Sequence, residues 1–486
     1  MVTLDKDLAS IQEVRDLLSA AKSAQQILAK MSQEQIDQIC EAMATAAYEA
    51  REKLAKMASD ETGFGIWQDK VVKNSFASKF VWNYIKDMKT VGILNEDSEK
   101  KVIDVAVPVG VVAGLIPSTN PTSTVIYKAL IAIKTGNAIV FSPHPNALNA
   151  ILETIKIISE AAEKAGCPKG AISCMVKPTM QGTAELMKHD YTSLILATGG
   201  SAMVKAAYSS GTPAIGVGPG NGPAYIEKSA DIPLAVKRIM DSKTFDNGTI
   251  CASEQSIIVE TSNKAAVIAE LKKQGAYFLS PSESAQLEKY IMRPNGSMNP
   301  QIVGKSVQAI AQLTSLSVPK NARVLIAEET KVGHKVPYSR EKLAPILAFY
   351  TVENWEEACA LSMDILHHEG AGHTMMIHSQ NDTIIRAFGL KKPVSRVLVN
   401  TPGALGGIGA TTNMAPALTL GCGAVGGSST SDNISPENLF NIRRIAYGVR
   451  ELEDLREEPS ASNNSSSINE EQLVDTIVER ILAKLQ

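Results

Sequence analysis

The chain has 486 residues, 44% hydrophobic and 20% charged, with a formal net charge of −3. That length exceeds one compact core and predicts two or three domains, and the balance of charge leaves no basic footprint for nucleic acid. No uninterrupted apolar run reaches membrane-spanning length, because Asp104, Pro108, Lys128 and Lys134 break the stretch from Val102 to Phe141.

Met1 to Asp7 carries acids and a lysine without an apolar run, so no signal peptide is expected. Residues 7–60 read as helices: Ile36, Ile39, Cys40, Met43 and Ala47 recur at helical spacing. Ser32 and Gln35 have the spacing of a capping box, which starts a helix near Ser32. From Val109 short β-branched runs alternate with helical segments. Strands are expected at Val111–Ile116, Ala138–Phe141, Ala171–Val176, Ser193–Ala197 and Ala224–Ile226. Helices are expected near Thr122–Lys134, Asn146–Ala165, Met180–Lys188 and Ala202–Ser210. Such alternation predicts an α/β, Rossmann-like domain with a parallel sheet covered on both faces, and a nucleotide at the carboxyl ends of its strands. A second α/β region follows, with strands at Ile257–Val259, Val324–Ala327, Thr374–Ile377 and Arg396–Val399 and helices near Asn263–Lys273 and Trp355–Leu366. The Gly-rich stretch Gly403–Gly427 is too apolar for a flexible linker and reads as packed loops near an active site. Glu457–Ser467 is a polar linker, and 468–486 reads as a separate short helix. Its Leu473, Val474, Ile477, Val478, Ile481, Leu482 and Leu485 share one face, and Ser467 with Glu470 has capping-box spacing.

Six cysteines (Cys40, Cys167, Cys174, Cys251, Cys359 and Cys422) are scattered without a C-x-x-C pair, so neither a zinc knuckle nor a disulfide framework is indicated and a reducing cytoplasm is the simplest home. Cys251 stands apart. It lies on the polar loop Phe245–Gln255, directly before a β-rich run. A loop cysteine backed by a strand can offer its sulfur to a pocket; it can equally be a small buried hydrophobe. Asn120, in Pro117–Pro121 after an expected strand, could donate to an oxyanion or simply form a turn before proline. Thr198-Gly199-Gly200-Ser201 joins an expected strand to a helix, which suits a phosphate or a plain tight turn. Gly216-Val217-Gly218-Pro219-Gly220-Asn221-Gly222 does not fit G-x-G-x-x-G and reads as a backbone-lined pocket wall. Gly304-Lys305-Ser306 lacks the distal glycine of a P-loop, since Asn299 occupies that place. His367, His368, His373 and His378 have no zinc-site spacing, and no metal is expected. Glu341 alone reads as a surface acid.

Taken together, Pro117–Thr122, Ala197–Ser201, Phe245–Gln255, Val303–Ser306 and Glu341–Pro345 resemble the aldehyde dehydrogenase superfamily, over about residues 10–450. Within it the chain is similar to the coenzyme A-acylating branch, which includes the aldehyde domain of bifunctional aldehyde/alcohol dehydrogenases and the propionaldehyde dehydrogenases of bacterial microcompartments. The resemblance implies Cys251 as nucleophile, Asn120 as oxyanion amide, His373 as a histidine of the acylating branch, and NAD and coenzyme A as cofactors. It implies cofactor contacts at Ser118, Ser142, Thr198, Gly199, Gly200, Val217, Gly218 and Glu341. Ser142 stands where many relatives have a lysine near the adenine ribose. Val217 stands where hydrolytic members have the glutamate that activates water, so thioester hydrolysis should be slow and a thiol acceptor favoured. The site is expected to favour the Cys251 thiolate.

The expected organisation is a dinucleotide-binding domain over 1–242 (with 99–108 contributing to oligomerisation), a catalytic domain over 243–430, an oligomerisation segment over 431–456, the linker 457–467 and the terminal helix 468–486. The resemblance implies a homo-oligomer acting on a short-chain aldehyde. The tail looks like an encapsulation peptide, which would take shell proteins or other lumen enzymes of a bacterial microcompartment as partners. A hydrolytic aldehyde dehydrogenase and a non-catalytic assembly protein are the alternatives; no nucleic acid or membrane partner is expected.

Overall fold

The computed structural model describes residues 5–456 and 470–484. The linker Glu457–Ser467, the Ser467 half of the capping pair and Leu485 lie outside the described residues. The chain divides into two units: Met1–Leu94 with Val105–Arg443, and Asn95–Asp104 with Arg444–Gln486.

Helices Lys6–Leu28, Gln33–Glu49 and Arg51–Thr62 open the chain. Ser32 caps the second through the expected capping box with Gln35, satisfying two backbone donors reciprocally. Strands β1 (Gly92–Asp97) and β2 (Val102–Pro108) follow. The next five strands are β3 (Val111–Leu115), β4 (Ala138–Ser142), β5 (Ile172–Cys174), β6 (Thr192–Ala197) and β7 (Ala214–Gly216). They form a parallel sheet in the order β5-β4-β3-β6-β7. Its central strand β3 is buried throughout, as a strand covered on both faces must be. The sequence reverses direction of growth at β3, which places a topological switch point between β3 and β6.

Seven further strands form the second sheet: β8 (Gly222–Ile226), β9 (Glu254–Glu260), β10 (Ala276–Phe278), β11 (Val324–Glu328), β12 (Ile346–Val352), β13 (Gly372–His378) and β14 (Val394–Val399). Their order is β10-β11-β12-β9-β8-β13-β14, again parallel. The sequence reading grouped Ala224–Ile226 with the first region; it pairs instead with β9 and β13 in the second sheet. Local periodicity marks a strand but does not say which sheet receives it. Strand β15 (Phe440–Ala446) completes a three-stranded sheet β1-β2-β15.

The tail helix Glu470–Leu482 forms as expected. Leu473, Val474, Ile477, Val478, Ile481 and Leu482 are all exposed, between 46% and 60%. No described helix is long and apolar enough to cross a membrane.

Candidate active site

Register brings the first group of residues together. Leu115 of β3 lies opposite Ser142 of β4 and Ala197 of β6. The loops leaving these strands therefore share one sheet edge: Pro117–Asn120, the residues after Ser142, and Thr198–Gly200. Helix Pro121–Lys134 starts at Asn120, with Pro121 at its first position, where a missing N–H costs nothing. Helix Ser201–Tyr208 starts at Gly200. A methyl group at Gly200 would meet no atom within 4 Å, and one at Gly199 would meet only the Met203 side chain at 3.7 Å. Space therefore stands over this turn, beside a helix N-terminus, which favours an anion. Thr198 Oγ1 lies 3.3 Å from Thr419 Oγ1, so the Gly-rich stretch packs on this turn. Ser142 is buried with its hydroxyl 2.8 Å from that of Thr183. Ser118 lies on the Asn120 loop, partly buried.

Cys251 follows helix Ile232–Thr244 and a turn at Phe245–Gly248, and precedes β9. It is partly exposed. Its sulfur lies 3.1 Å from Nε2 of His373, a fully buried residue at the start of β13. His373 Nδ1 lies 2.9 Å from Thr374 Oγ1, which also accepts from Arg396 Nε at 3.3 Å. With Nδ1–H donating to Thr374, the free lone pair of Nε2 faces the thiol. Arg396 is itself fixed by the Gly421 carbonyl at 2.6 Å.

Burial pushes the Cys251 thiol up to about 12, with Glu341 adding to the shift and Arg396 opposing it. Burial also pushes His373 down to about 3, helped by Arg396. Burial thus works against the thiolate expected from the sequence, and against the imidazolium. Desolvation disfavours each charged form more than Arg396 favours the thiolate.

Asn120 sits against the same loop. Its Nδ2 donates to the Thr249 carbonyl at 3.3 Å, and its Oδ1 accepts from Lys73 Nζ at 2.5 Å. Because an ammonium only donates, Lys73 fixes which end of the amide faces the loop. Lys73 also donates to Asp246 and to Thr249 Oγ1, and Lys70 donates to Asp246 and to the Thr119 carbonyl. Asp246 accepts further from the Ile66 N–H at 2.7 Å. These bonds hold Asp246 and Asn247 at φ of 49° and 52°, a left-handed conformation that their short polar side chains tolerate. Burial works against the Asp246 charge, but the two ammonium groups outweigh it and hold the carboxyl below its ordinary value. Burial draws Lys73 down to about 8 against the pull of Asp246.

The loop Gly216–Gly222 closes the other side. A side chain at Gly220 would overlap the Cys251 carbonyl, at 1.9 Å. The Gly220 N–H donates to Glu341 Oε1 at 2.9 Å, and the Glu341 N–H donates to Glu369. Burial, then the Glu369 charge, push Glu341 up to about 8. Val217 is buried in the cluster against which Cys251 packs. A methyl group at Gly218 would lie 3.7 Å from the Gly426 carbonyl and 3.9 Å from the Cys422 sulfur. Gly304 accepts from Asn247 Nδ2 at 2.9 Å, and Lys305 Nζ donates to the Gly63 carbonyl at 2.6 Å. That segment buttresses the cysteine loop rather than cradling a phosphate. Among the described residues no group of three or more His, Cys, Asp or Glu is placed to hold a metal.

A cysteine on a strand-backed loop, an amide aimed at that loop and a glycine turn at a parallel-sheet switch point thus converge. The family model for the aldehyde dehydrogenase family matches residues 3–339. The chain belongs to the aldehyde dehydrogenase family. Glu341 and His373 of this aldehyde dehydrogenase lie beyond the matched stretch. It is 45% identical over 444 residues to the bifunctional aldehyde-alcohol dehydrogenase AdhE of Escherichia coli K12, covering 90% of this chain and 50% of that one. The chain therefore spans about half the length of the first curated relatives it matches. A probable aldehyde dehydrogenase from Listeria monocytogenes superposes with a TM-score of 0.93 at 78% identity, covering 93% of this chain and 100% of that one. An acetylating aldehyde dehydrogenase from Geobacillus thermoglucosidasius superposes with a TM-score of 0.91 at 56% identity, covering 93% and 99%.

Sequence reasoning missed Lys70, Lys73 and Asp246 around the cysteine loop, and Thr374 and Arg396 behind His373. The lysines are spaced i, i+3 and share a helix face, but a buried lysine looks like a solvated one in sequence. Asp246-Asn247-Gly248 was the available signal, since such residues favour left-handed turns.

Proposed function

We propose that this protein oxidises a short-chain aldehyde to its acyl-coenzyme A thioester through a covalent intermediate on Cys251. The observation that carries this reading is the Cys251–His373 contact at 3.1 Å beside a loop whose base position is Val217. His373 Nε2 accepts the thiol proton as the sulfur attacks the aldehyde carbonyl. Asn120 Nδ2 and the Cys251 backbone N–H stabilise the oxyanion. NAD, when bound, supplies the hydride acceptor, and the residues around Thr198–Gly200 and Glu341 would hold it. Loss of hydride from the tetrahedral carbon leaves a thioester on Cys251. Valine at 217 offers water no base, so the thioester persists until the thiol of coenzyme A takes the acyl group. Such a two-stage course is ping-pong. The similarity to an acetylating aldehyde dehydrogenase supports the acylating reading, and acetaldehyde and propionaldehyde are the substrates the resemblance favours.

Val217→Glu supplies the missing base and should raise free acid relative to acyl-coenzyme A among the products. An unchanged ratio in the folded variant would mean that Val217 does not face the thioester.

The exposed apolar stripe of helix Glu470–Leu482 supports a second part of the reading. A short amphipathic helix is marginal alone in water and gains by docking in a groove or bundle. We read it as an encapsulation peptide that directs the enzyme to a microcompartment lumen through shell proteins or other lumen enzymes. Strands β2 and β15 are the elements we assign to a homo-oligomer contact.

A further inference from the structure

Outside the site, one cysteine has an unusual neighbour. Cys359 lies on helix Trp355–His368, and Lys392 is the residue that ends helix Asp382–Lys391. Both side chains are nearly buried, at 9% and 8% exposure. Lys392 Nζ lies 2.6 Å from Cys359 Sγ and 3.0 Å from the Cys359 carbonyl oxygen. Its third neighbour is the face of Phe388, 4.4 Å from the ring centre. No carboxylate pairs with this lysine among the described residues, and no other described cysteine sulfur meets a lysine amine. Sulfur is larger than oxygen, yet the separation is shorter than the ~2.9 Å of an ordinary N–H···O bond. It suits two atoms that share one bridging oxygen.

We propose that Cys359 and Lys392 form an oxidation-dependent covalent bridge, Nζ–O–Sγ, that ties the two helices together. Hydrogen peroxide is the oxidant. One equivalent converts the thiol to a sulfenic acid and releases water, the first step of ordinary cysteine oxidation. A second equivalent hydroxylates the amine in its unprotonated form and releases water. Condensation of the two products forms the O–S bond and releases a third water. The sum is one amine, one thiol and two peroxides giving one bridge and three waters. Four electrons pass to peroxide, and two equivalents of a dithiol return them, restoring thiol and amine with release of one water. Burial supports the chemistry by lowering the Lys392 amine, with Lys391 adding to the shift and the Cys359 contact opposing it. The packing of Phe388 and the Cys359 carbonyl keeps the amine against the sulfur.

The test is peptide mapping by mass spectrometry of the full chain carrying Cys251→Ala, which removes the oxidisable active-site thiol, before and after hydrogen peroxide. The expected product joins the Cys359 and Lys392 peptides. It is heavier than their sum by about 14 Da, one oxygen less two hydrogens. Dithiothreitol should release it, and Lys392→Arg should prevent it while Cys359 still oxidises. Recovery of Cys359 only in linear peptides, free or oxidised, would overturn the proposal. So would a direct sulfur–nitrogen link about 2 Da lighter than the sum.

Discussion

Cys251 and His373 pose the central question at the scale of single residues. Both charged forms are disfavoured by burial, so in our reading Cys251 and His373 rest as a neutral pair and the proton moves only as the sulfur attacks. The thiolate is the reactive form. With the folded-state value raised to about 12, the thiolate fraction should rise about tenfold per pH unit from pH 7 to 9. Alkylation of Cys251 by iodoacetamide in the unliganded enzyme should rise with the same slope, followed by mapping the modified peptide. A plateau below pH 8 would contradict the neutral pair. Lys73 acts one bond further out. It touches the Asn120 amide oxygen and, in our reading, orients that amide. Loss of an oxyanion donor typically costs ~10²–10³ in kcat, so Lys73→Met should lower kcat by up to about 100-fold with little change in the KM for aldehyde. Stability should fall too, because breaking a buried ion pair costs about 3–5 kcal/mol; Lys70 remains beside Asp246 and moderates the loss. An unchanged kcat in folded Lys73→Met would remove Lys73 from this role.

Elements explain why these residues meet at all. Cys251 precedes β9 and His373 opens β13, with β8 between them in the second sheet. Parallel strands start at one edge, so residues 122 apart in sequence come within hydrogen-bond distance. That pairing was invisible to spacing arguments, although the alternation of strands and helices was legible and its boundaries fell close. Met180–Lys188 is a helix over that very span, and the Ser32 capping box forms. Strand β12, Ile346–Val352, went unread because a continuous apolar run does not distinguish a buried strand from a buried helix. Strand β8 was seen and placed in the wrong sheet. The loop Gly216–Gly222 was readable as a backbone wall, but not that Gly220 is pressed against the Cys251 carbonyl. Glycine content announces a close approach and does not name what approaches.

The whole chain separates chemistry from location in our reading. The tail is tethered by the polar segment Glu457–Ser467, and its helix carries six exposed apolar residues on the described part of its stripe. Deleting residues 457–486 should therefore leave turnover nearly unchanged and abolish co-assembly with shell proteins. A truncated enzyme that still enters shells would end that assignment. The catalytic claim rests on what takes the acyl group from Cys251. It is tested most directly by following NADH absorbance with acetaldehyde or propionaldehyde, with and without coenzyme A, while quantifying products. The account predicts sustained NADH formation only with coenzyme A, and one acyl-coenzyme A for each NADH. Sustained turnover without coenzyme A, with free acid as the product, would contradict it.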